Sequence, residues 1–196
     1  MKLIVITRPD FYPAEAAQIT LLLQQGLDTL HLRKPEATQQ EVADLLDQIP
    51  ASLHPHIVLH EHFELSQRYA VKGLHLNRRH STPPTDYRGA LSRSCHTFEE
   101  VSQWKAQCSY LFLSPIFDSI SKAGYASAFS PEQLAEARIQ GLIDQKVVAL
   151  GGVTSQHFAQ LKAWGFGGAA LLGDIWHQPQ ERFLSHFIET REEAER

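Results

Sequence analysis

Hydrophobic and polar positions recur along the chain in two forms. Short apolar runs rich in Val, Ile and Leu predict strands at Lys2–Thr7, Thr29–Arg33, His56–His60, Gly73–Leu76, Leu91–Ser94, Tyr110–Leu113, Lys146–Leu150 and Gly168–Leu172. Between them lie helical patterns with recognisable starts. Pro13 occupies a first-turn position ahead of Ala14-Glu15-Ala16. Thr38 with Glu41, and Thr97 with Glu100, have the spacing of capping boxes, in which each side chain satisfies an orphan N–H of the other residue. Ser130-Pro131-Glu132-Gln133 places a cap, a proline and a Gln in the order a helix start prefers. Parallel returns need crossovers, so strands alternating with helices predict a parallel α/β sheet. Eight such units closing on themselves predict a compact single-domain (βα)8 TIM barrel over residues 1–196; an open doubly wound sheet is the rival. The chain is short for that barrel, so some loops and helices must be abbreviated.

Composition narrows the class. Hydrophobic residues make up 43% of the 196 residues and charged residues 20%, which suits a chain with a real core. The net charge of -4 speaks against a general nucleic-acid or acidic-membrane binder. No apolar run approaches the roughly 18 residues of a membrane span, and the first strand is too short for a signal segment, so the expected location is cytoplasmic. With only Cys95 and Cys108, neither a disulfide framework nor a thiolate zinc site is expected. The unusual count is histidine, 11 residues scattered from His31 to His186. Histidine titrates near neutrality and ligates metals, so the excess points to proton transfer, a metal, or packing.

The carboxyl ends of barrel strands carry the chemistry. There the sequence places His31-Leu32-Arg33-Lys34, His60-Glu61-His62, His75 with Asn77, Ser94-Cys95-His96, Ser114 to Lys122, Gly151-Gly152, and Gly173-Asp174. Gly151, Gly152 and Gly173 let backbone N–H groups approach an anion with no Cβ in the way, and each precedes a helix start. A phosphate site is the reading preferred over plain tight turns. Arg33, Ser119, Ser121 and Lys122 form a second anion constellation, suited to another phosphate or a diphosphate. His75 reads as a packed, hydrogen-bonded core residue, and His96 as either a helix-start or a packing residue. His54, His56, His157 and His177 read as surface residues. His60 and His62, completed by His75 or His80, offer a transition-metal reading without the spacing of a known zinc motif.

In order, these segments resemble the thiamine phosphate synthase family and its TenI-type thiazole tautomerase relatives, from Leu3 to Trp176. The resemblance is carried by His31-Leu32-Arg33, His60-Glu61, Gly73-Leu74-His75-Leu76, Ser94-Cys95-His96-Thr97-Phe98-Glu99-Glu100, Ser114-Pro115-Ile116-Phe117-Asp118-Ser119-Ile120-Ser121-Lys122, and Ala149-Leu150-Gly151-Gly152-Val153. It implies a thiazole phosphate ligand held at the glycines after strands 7 and 8. The synthase joins hydroxymethylpyrimidine diphosphate to thiazole phosphate with release of diphosphate. Its diphosphate and Mg2+ site would fall on Arg33, Ser94, Ser119, Ser121 and Lys122. The tautomerase moves a proton within the carboxylated thiazole phosphate and needs no cofactor.

Departures from the pattern set the preference. Where the synthase has Asn-Asp after strand 3, this chain has His60-Glu61, leaving Glu61 as the candidate Mg2+ ligand. The Asp expected after strand 4 is replaced by Arg78-Arg79-His80, and the family's lysine after strand 2 by Pro35, with Lys34 beside it. The tautomerase's His after strand 6 is Pro115. The altered carboxylates tip the reading toward a tautomerase, with His31, His60, Glu61 and Lys122 as catalytic candidates. The alternative is the synthase with Mg2+, and a third reading is a catalytically inactive relative that binds a thiamine intermediate. Expected partners are the thiazole phosphate and, for a synthase, the pyrimidine diphosphate; a homo-oligomer is left open. Asp174 stands where the family has a small residue, and is expected to cap the following helix.

Overall fold

A computed structural model describes residues 1–118 and 127–196. Its eight strands are β1 (Lys2–Ile6), β2 (Thr29–Leu32), β3 (Ile57–Leu59), β4 (Gly73–Leu76), β5 (Ala90–Cys95), β6 (Tyr110–Leu113), β7 (Val147–Ala149) and β8 (Gly168–Leu171). Every neighbouring pair is parallel, and β8 returns to β1 through Leu3↔Ala169 and Val5↔Leu171, so the sheet is a closed barrel. That closure excludes the open-sheet rival.

The α-helices are α1 (Glu15–Gln24), α2 (Gln39–Asp47), α3 (Phe98–Trp104), α4 (Pro131–Ile139), α5 (Phe158–Ala163), α6 (Gly173–Trp176) and α7 (Gln180–Glu195). The expected abbreviation falls on the middle of the chain. The β3–β4 crossover carries only a 3-10 turn at Phe63–Gln67, and residues 77–89 between β4 and β5 contain no helix. No helix among the described residues is long and apolar enough to cross a membrane.

Two expected helix starts form complete boxes. The Thr38 hydroxyl accepts from the Glu41 N–H while the Glu41 carboxylate accepts from the Thr38 N–H, and Ser130 and Gln133 do the same at α4. At α3 the box is only half formed. Thr97 accepts from the Glu100 N–H, but Glu100 Oε2 accepts instead from the N–H of His96, one residue earlier.

Strand parity sorts the side chains into two cores. Leu3, Val5, Leu30, Leu32, Leu74, Leu76, Leu111 and Leu113 face the helices and join the shell core. The alternate positions enter the lumen, where Ile4, Ile6, Tyr110, Phe112, Val148 and Ala170 form a separate cluster. His31 and His75 share this inward parity and pack on Phe112, with ring centroids 4.7 and 4.8 Å away. The alternation that predicts the strands therefore also delivers two imidazoles to the barrel axis.

Candidate active site at the carboxyl ends of the strands

Three imidazoles meet at and below the mouth of the barrel. His31 projects from the middle of β2, His75 from β4, and His60 follows the last residue of β3. His31 Nδ1 lies 2.7 Å from His60 Nε2, and His31 Nε2 lies 2.5 Å from the Tyr110 hydroxyl. His75 Nδ1 and Nε2 each lie 2.8 Å from a serine hydroxyl, on Ser92 and Ser94 respectively. The rings of His60 and His75 stack with centroids 4.2 Å apart. His75 is thus the hydrogen-bonded core residue expected of it.

Burial holds all three rings neutral. It lowers His31 and His60 well below the ordinary imidazole range, and nearby cationic groups push the same way. Burial, then Arg93 and Arg33, bring His75 down to about 3. The three rings are close enough to be considered as a metal site. Their chemistry is unsuited to one. His31 and His75 spend both nitrogens on hydrogen bonds, and the surrounding field is positive.

The His60/His62 metal pairing also fails on geometry. The strand stops at Leu59, His62 adopts a left-handed backbone (φ 51°), and its Nε2–H donates to the Ala37 carbonyl at 2.7 Å. His80 instead tilts over Phe63, with centroids 5.6 Å apart. Glu61 is 9% exposed, and its Oε2 accepts the Lys34 backbone N–H at 2.8 Å. Burial raises its carboxyl, opposed by that N–H and by Arg33 and His80. Oε1 accepts no hydrogen bond among the described residues.

Arg33 is half-buried at the end of β2, and its backbone is fixed to the Thr7 hydroxyl. Its guanidinium makes no ion pair among the described residues, yet its field is felt at His60, Glu61 and His75. Lys34 is different. Its Nζ is fully buried and donates to Glu15 Oε1 at 2.6 Å and to the Arg8 and Asp10 carbonyls. It ties α1 and the β1 loop to β2 and is unavailable to a ligand. Ser119, Ser121 and Lys122 lie outside the described residues.

After β7 the two glycines have two reasons to be glycine. Gly151 and Gly152 take φ of 93° and 63°, and a Cβ on Gly152 would stand 2.2 Å from the Asp118 carbonyl oxygen. The loop after β6 lies directly against them, with the Phe117 N–H donating to the Gly151 carbonyl. The tight-turn explanation is therefore sufficient for the residue type. The anion reading keeps separate support, because the N–H groups of Gly151, Gly152, Val153 and Gly173 donate to no backbone acceptor among the described residues.

Asp174 does not cap α6. Its Oδ2 pairs instead with His186 Nε2 of α7 at 3.0 Å. His54 also corrects the surface assignment. It is 5% exposed, and its Nε2–H is shared between the Leu46 and Ile49 carbonyls. His56 and His157 are half-buried, and His157 stacks on Phe117 at 3.8 Å. His96 is exposed at the start of α3, where its Nδ1–H donates to the Ser114 carbonyl. Tyr110 and Ser92, central to the lumen, were not singled out from sequence. Their signal was inward parity on β6 and β5.

A family model for thiamine monophosphate synthase matches residues 3–175. A Klebsiella pneumoniae protein called thiamine-phosphate synthase is 29% identical, the match covering 91% of this chain and 92% of that one. One of the same name from Bacteroides thetaiotaomicron is 28% identical over 79% of this chain and 80% of its own. A crystal structure described as thiamine phosphate pyrophosphorylase from Bacteroides thetaiotaomicron superposes with a TM-score of 0.91. It is 41% identical and covers all of this chain and 98% of that one.

Proposed function

The chain belongs to the thiamine monophosphate synthase family, and from this premise we propose that it is a thiamine-phosphate synthase. It would couple hydroxymethylpyrimidine diphosphate to thiazole phosphate and release diphosphate. The names of its relatives support this reading over the tautomerase that the altered carboxylates first suggest. The observation that carries it is the presence of two anion-accepting ends at one mouth. Among the described residues, Arg33 just after β2 offers a guanidinium without an ion pair, and Gly151, Gly152 and Gly173 after β7 and β8 offer N–H groups without a backbone acceptor. A reaction joining a diphosphate to a phosphate ester places a phosphoryl group at each end, whereas the carboxylated thiazole phosphate of the tautomerase brings one phosphoryl group and a carboxylate.

In this reading the glycine N–H groups hold the thiazole phosphate. Arg33 and the Ser94 hydroxyl receive the leaving diphosphate, with Ser119, Ser121 and Lys122 assigned to it by resemblance. Arg33 suits that role because a guanidinium grips two phosphate oxygens at once and strengthens as charge moves onto the leaving group. Mg2+ commonly binds through one or two carboxylates plus substrate phosphates, and Glu61 fits that pattern with one oxygen uncommitted among the described residues. Bound there with diphosphate oxygens, it would add positive charge where negative charge accumulates.

A tautomerase reading draws support from His60, a neutral imidazole at the mouth able to take a proton. Pro115 after β6 weighs against it. One assay panel separates the readings: pyrimidine diphosphate plus thiazole phosphate with and without Mg2+, and the thiazole tautomer alone. Thiamine phosphate formed at enzymatic rates supports the synthase. Turnover of the tautomer alone overturns it, and tight binding of thiazole phosphate without turnover in either assay leaves the inactive relative.

A further inference from the structure

His31 projects from β2 into the lumen between two partners. Its Nε2 lies 2.5 Å from the Tyr110 hydroxyl on β6, and its Nδ1 lies 2.7 Å from His60 Nε2 at the end of β3. His31 has no exposed surface and no carboxylate at either nitrogen, so the ring is neutral and carries one N–H. That hydrogen serves one of the two bonds, and the partner supplies the hydrogen of the other. We propose that Tyr110 is a positioning residue: its hydroxyl donates to His31 Nε2, which places the His31 hydrogen on Nδ1 and thereby holds His60 as an Nδ1–H donor at the mouth of the barrel.

Relative acidity sets the direction. A phenol is an acid of pKa about 10, and the imidazole lone pair is a base whose conjugate acid lies at roughly 6.5. The reverse pairing would ask the N–H of a neutral imidazole, a far weaker acid, to donate to a phenol oxygen, a far weaker base. It would also turn the phenol hydrogen away from His31, which is the hydroxyl's only hydrogen-bond partner among the described residues. A further hydrogen bond accepted by the phenol oxygen would leave this direction unchanged, because its own hydrogen still points at His31. His75 has no comparable director. Both its nitrogens meet serine hydroxyls, which donate and accept alike.

The consequence falls on His60. Its Nε2 lone pair is taken by the His31 N–H, so its own hydrogen sits on Nδ1. That Nδ1 has no hydrogen-bond partner among the described residues, yet it is not one of the side-chain atoms sealed from solvent. His60 therefore offers the mouth a donor and no base. Ionised phosphate oxygens present only lone pairs, so they meet such a donor favourably, beside Arg33, whose charge is felt at His60. A base for the tautomerase reaction would have to come from another residue. The tautomer follows from three side chains of the fold; only the choice of diphosphate as a probe rests on the proposed reaction.

The test is 15N spectroscopy of histidine-labelled protein at neutral pH, in which nitrogens with and without hydrogen are well separated. The His60 signals are those missing from His60→Gln. In the unsubstituted protein His60 is expected to show a protonated Nδ1 and a bare Nε2; the opposite pattern overturns the proposal, and this reading needs no variant at Tyr110. Tyr110→Phe removes only the donor oxygen and is expected to move His60 Nδ1 at least partway to the bare-nitrogen range. Phe112→Leu alters packing on His31 and keeps the phenol, so it is expected to leave His60 unmoved. No movement in Tyr110→Phe, or an equal movement in Phe112→Leu, overturns the proposal. Inorganic diphosphate is expected to bind with His60 Nδ1 still protonated and its proton shifted, and to bind Tyr110→Phe severalfold more weakly. A bare Nδ1 in the diphosphate complex overturns the donor role. The expected His60 pattern without any diphosphate binding upholds the role of Tyr110 and counts instead against the proposed anion site.

Discussion

His31 Nδ1 and His60 Nε2 stand 2.7 Å apart, both inside the barrel and both held neutral. Removing the His31 ring strands His60 Nε2 and the Tyr110 hydroxyl without partners. A buried polar group left unsatisfied costs about 1–3 kcal/mol. His31→Ala is therefore expected to lower the unfolding free energy by more than a cavity of that size alone would. His31→Gln, which can still hydrogen-bond, should recover part of the loss in urea titrations.

The same neutrality predicts a pH dependence. His31, His60 and His75 have folded-state pKa values below their unfolded value near 6.5, so below that pH the unfolded chain binds more protons. Their contribution is fully present above 6.5 and is lost as pH falls toward their folded values, by up to about 1.4 kcal/mol per pH unit for each ring. Glu15 and Glu61, raised by burial, act in the opposite sense on acidification. Urea midpoints should fall between pH 7.5 and 5.5, and His75→Asn should flatten that fall.

Lys34 and Glu15 form a buried ion pair, and Glu15 Oε2 has no partner among the described residues. Breaking such a pair from one side costs about 3–5 kcal/mol, because the remaining charge stays buried. Lys34→Ala should destabilise the fold by that order. Lys34→Met with Glu15→Leu should recover most of it in a denaturation cycle.

Arg33→Ala should do the reverse, weakening the reaction while sparing the fold. A lost charged hydrogen bond of about 1.5–3 kcal/mol corresponds to about a 10–100-fold rise in KM for the pyrimidine diphosphate. Stability should change by no more than about 0.5 kcal/mol. An unchanged KM would remove Arg33 from the diphosphate site.

Asp174 and His186 predict a compensating pair. Freed from His186, the Asp174 carboxylate could turn toward a phosphate at Gly173, where like charges repel. His186→Ala should raise KM for thiazole phosphate severalfold, and adding Asp174→Asn should restore it.

Much of the fold was legible because its periodicity is local. Runs such as Leu111-Phe112-Leu113 announce strands, and the Ser130–Gln133 box announces α4. The missing helix between β4 and β5 has no comparable signature, since Pro83-Pro84 and Gly89 only exclude one. At the site, His31, His60 and His75 were found because they sit at or near strand ends. Tyr110 was overlooked because it begins its strand, and only inward parity brings it up to His31. Lys34 stands beside Pro35, where the family has its lysine, and nothing in the local sequence announces that Glu15, 19 residues earlier, lies against its ammonium group. His54 looked exposed because its acceptors are backbone carbonyls, which leave no trace in side-chain spacing.

The lumen is made of two materials. Imidazoles and hydroxyls line its β2 to β5 side, and aliphatic groups on β1, β7 and β8 line the other, with Phe112 between them. An all-aliphatic lumen tolerates many packings, whereas this one accepts a single set of partners. A one-residue slip of β2 would turn His31 toward the helices and put Leu30 or Leu32 opposite Tyr110. The polar side thus works as a key to strand register, checking at closure that each stave has met its proper neighbour.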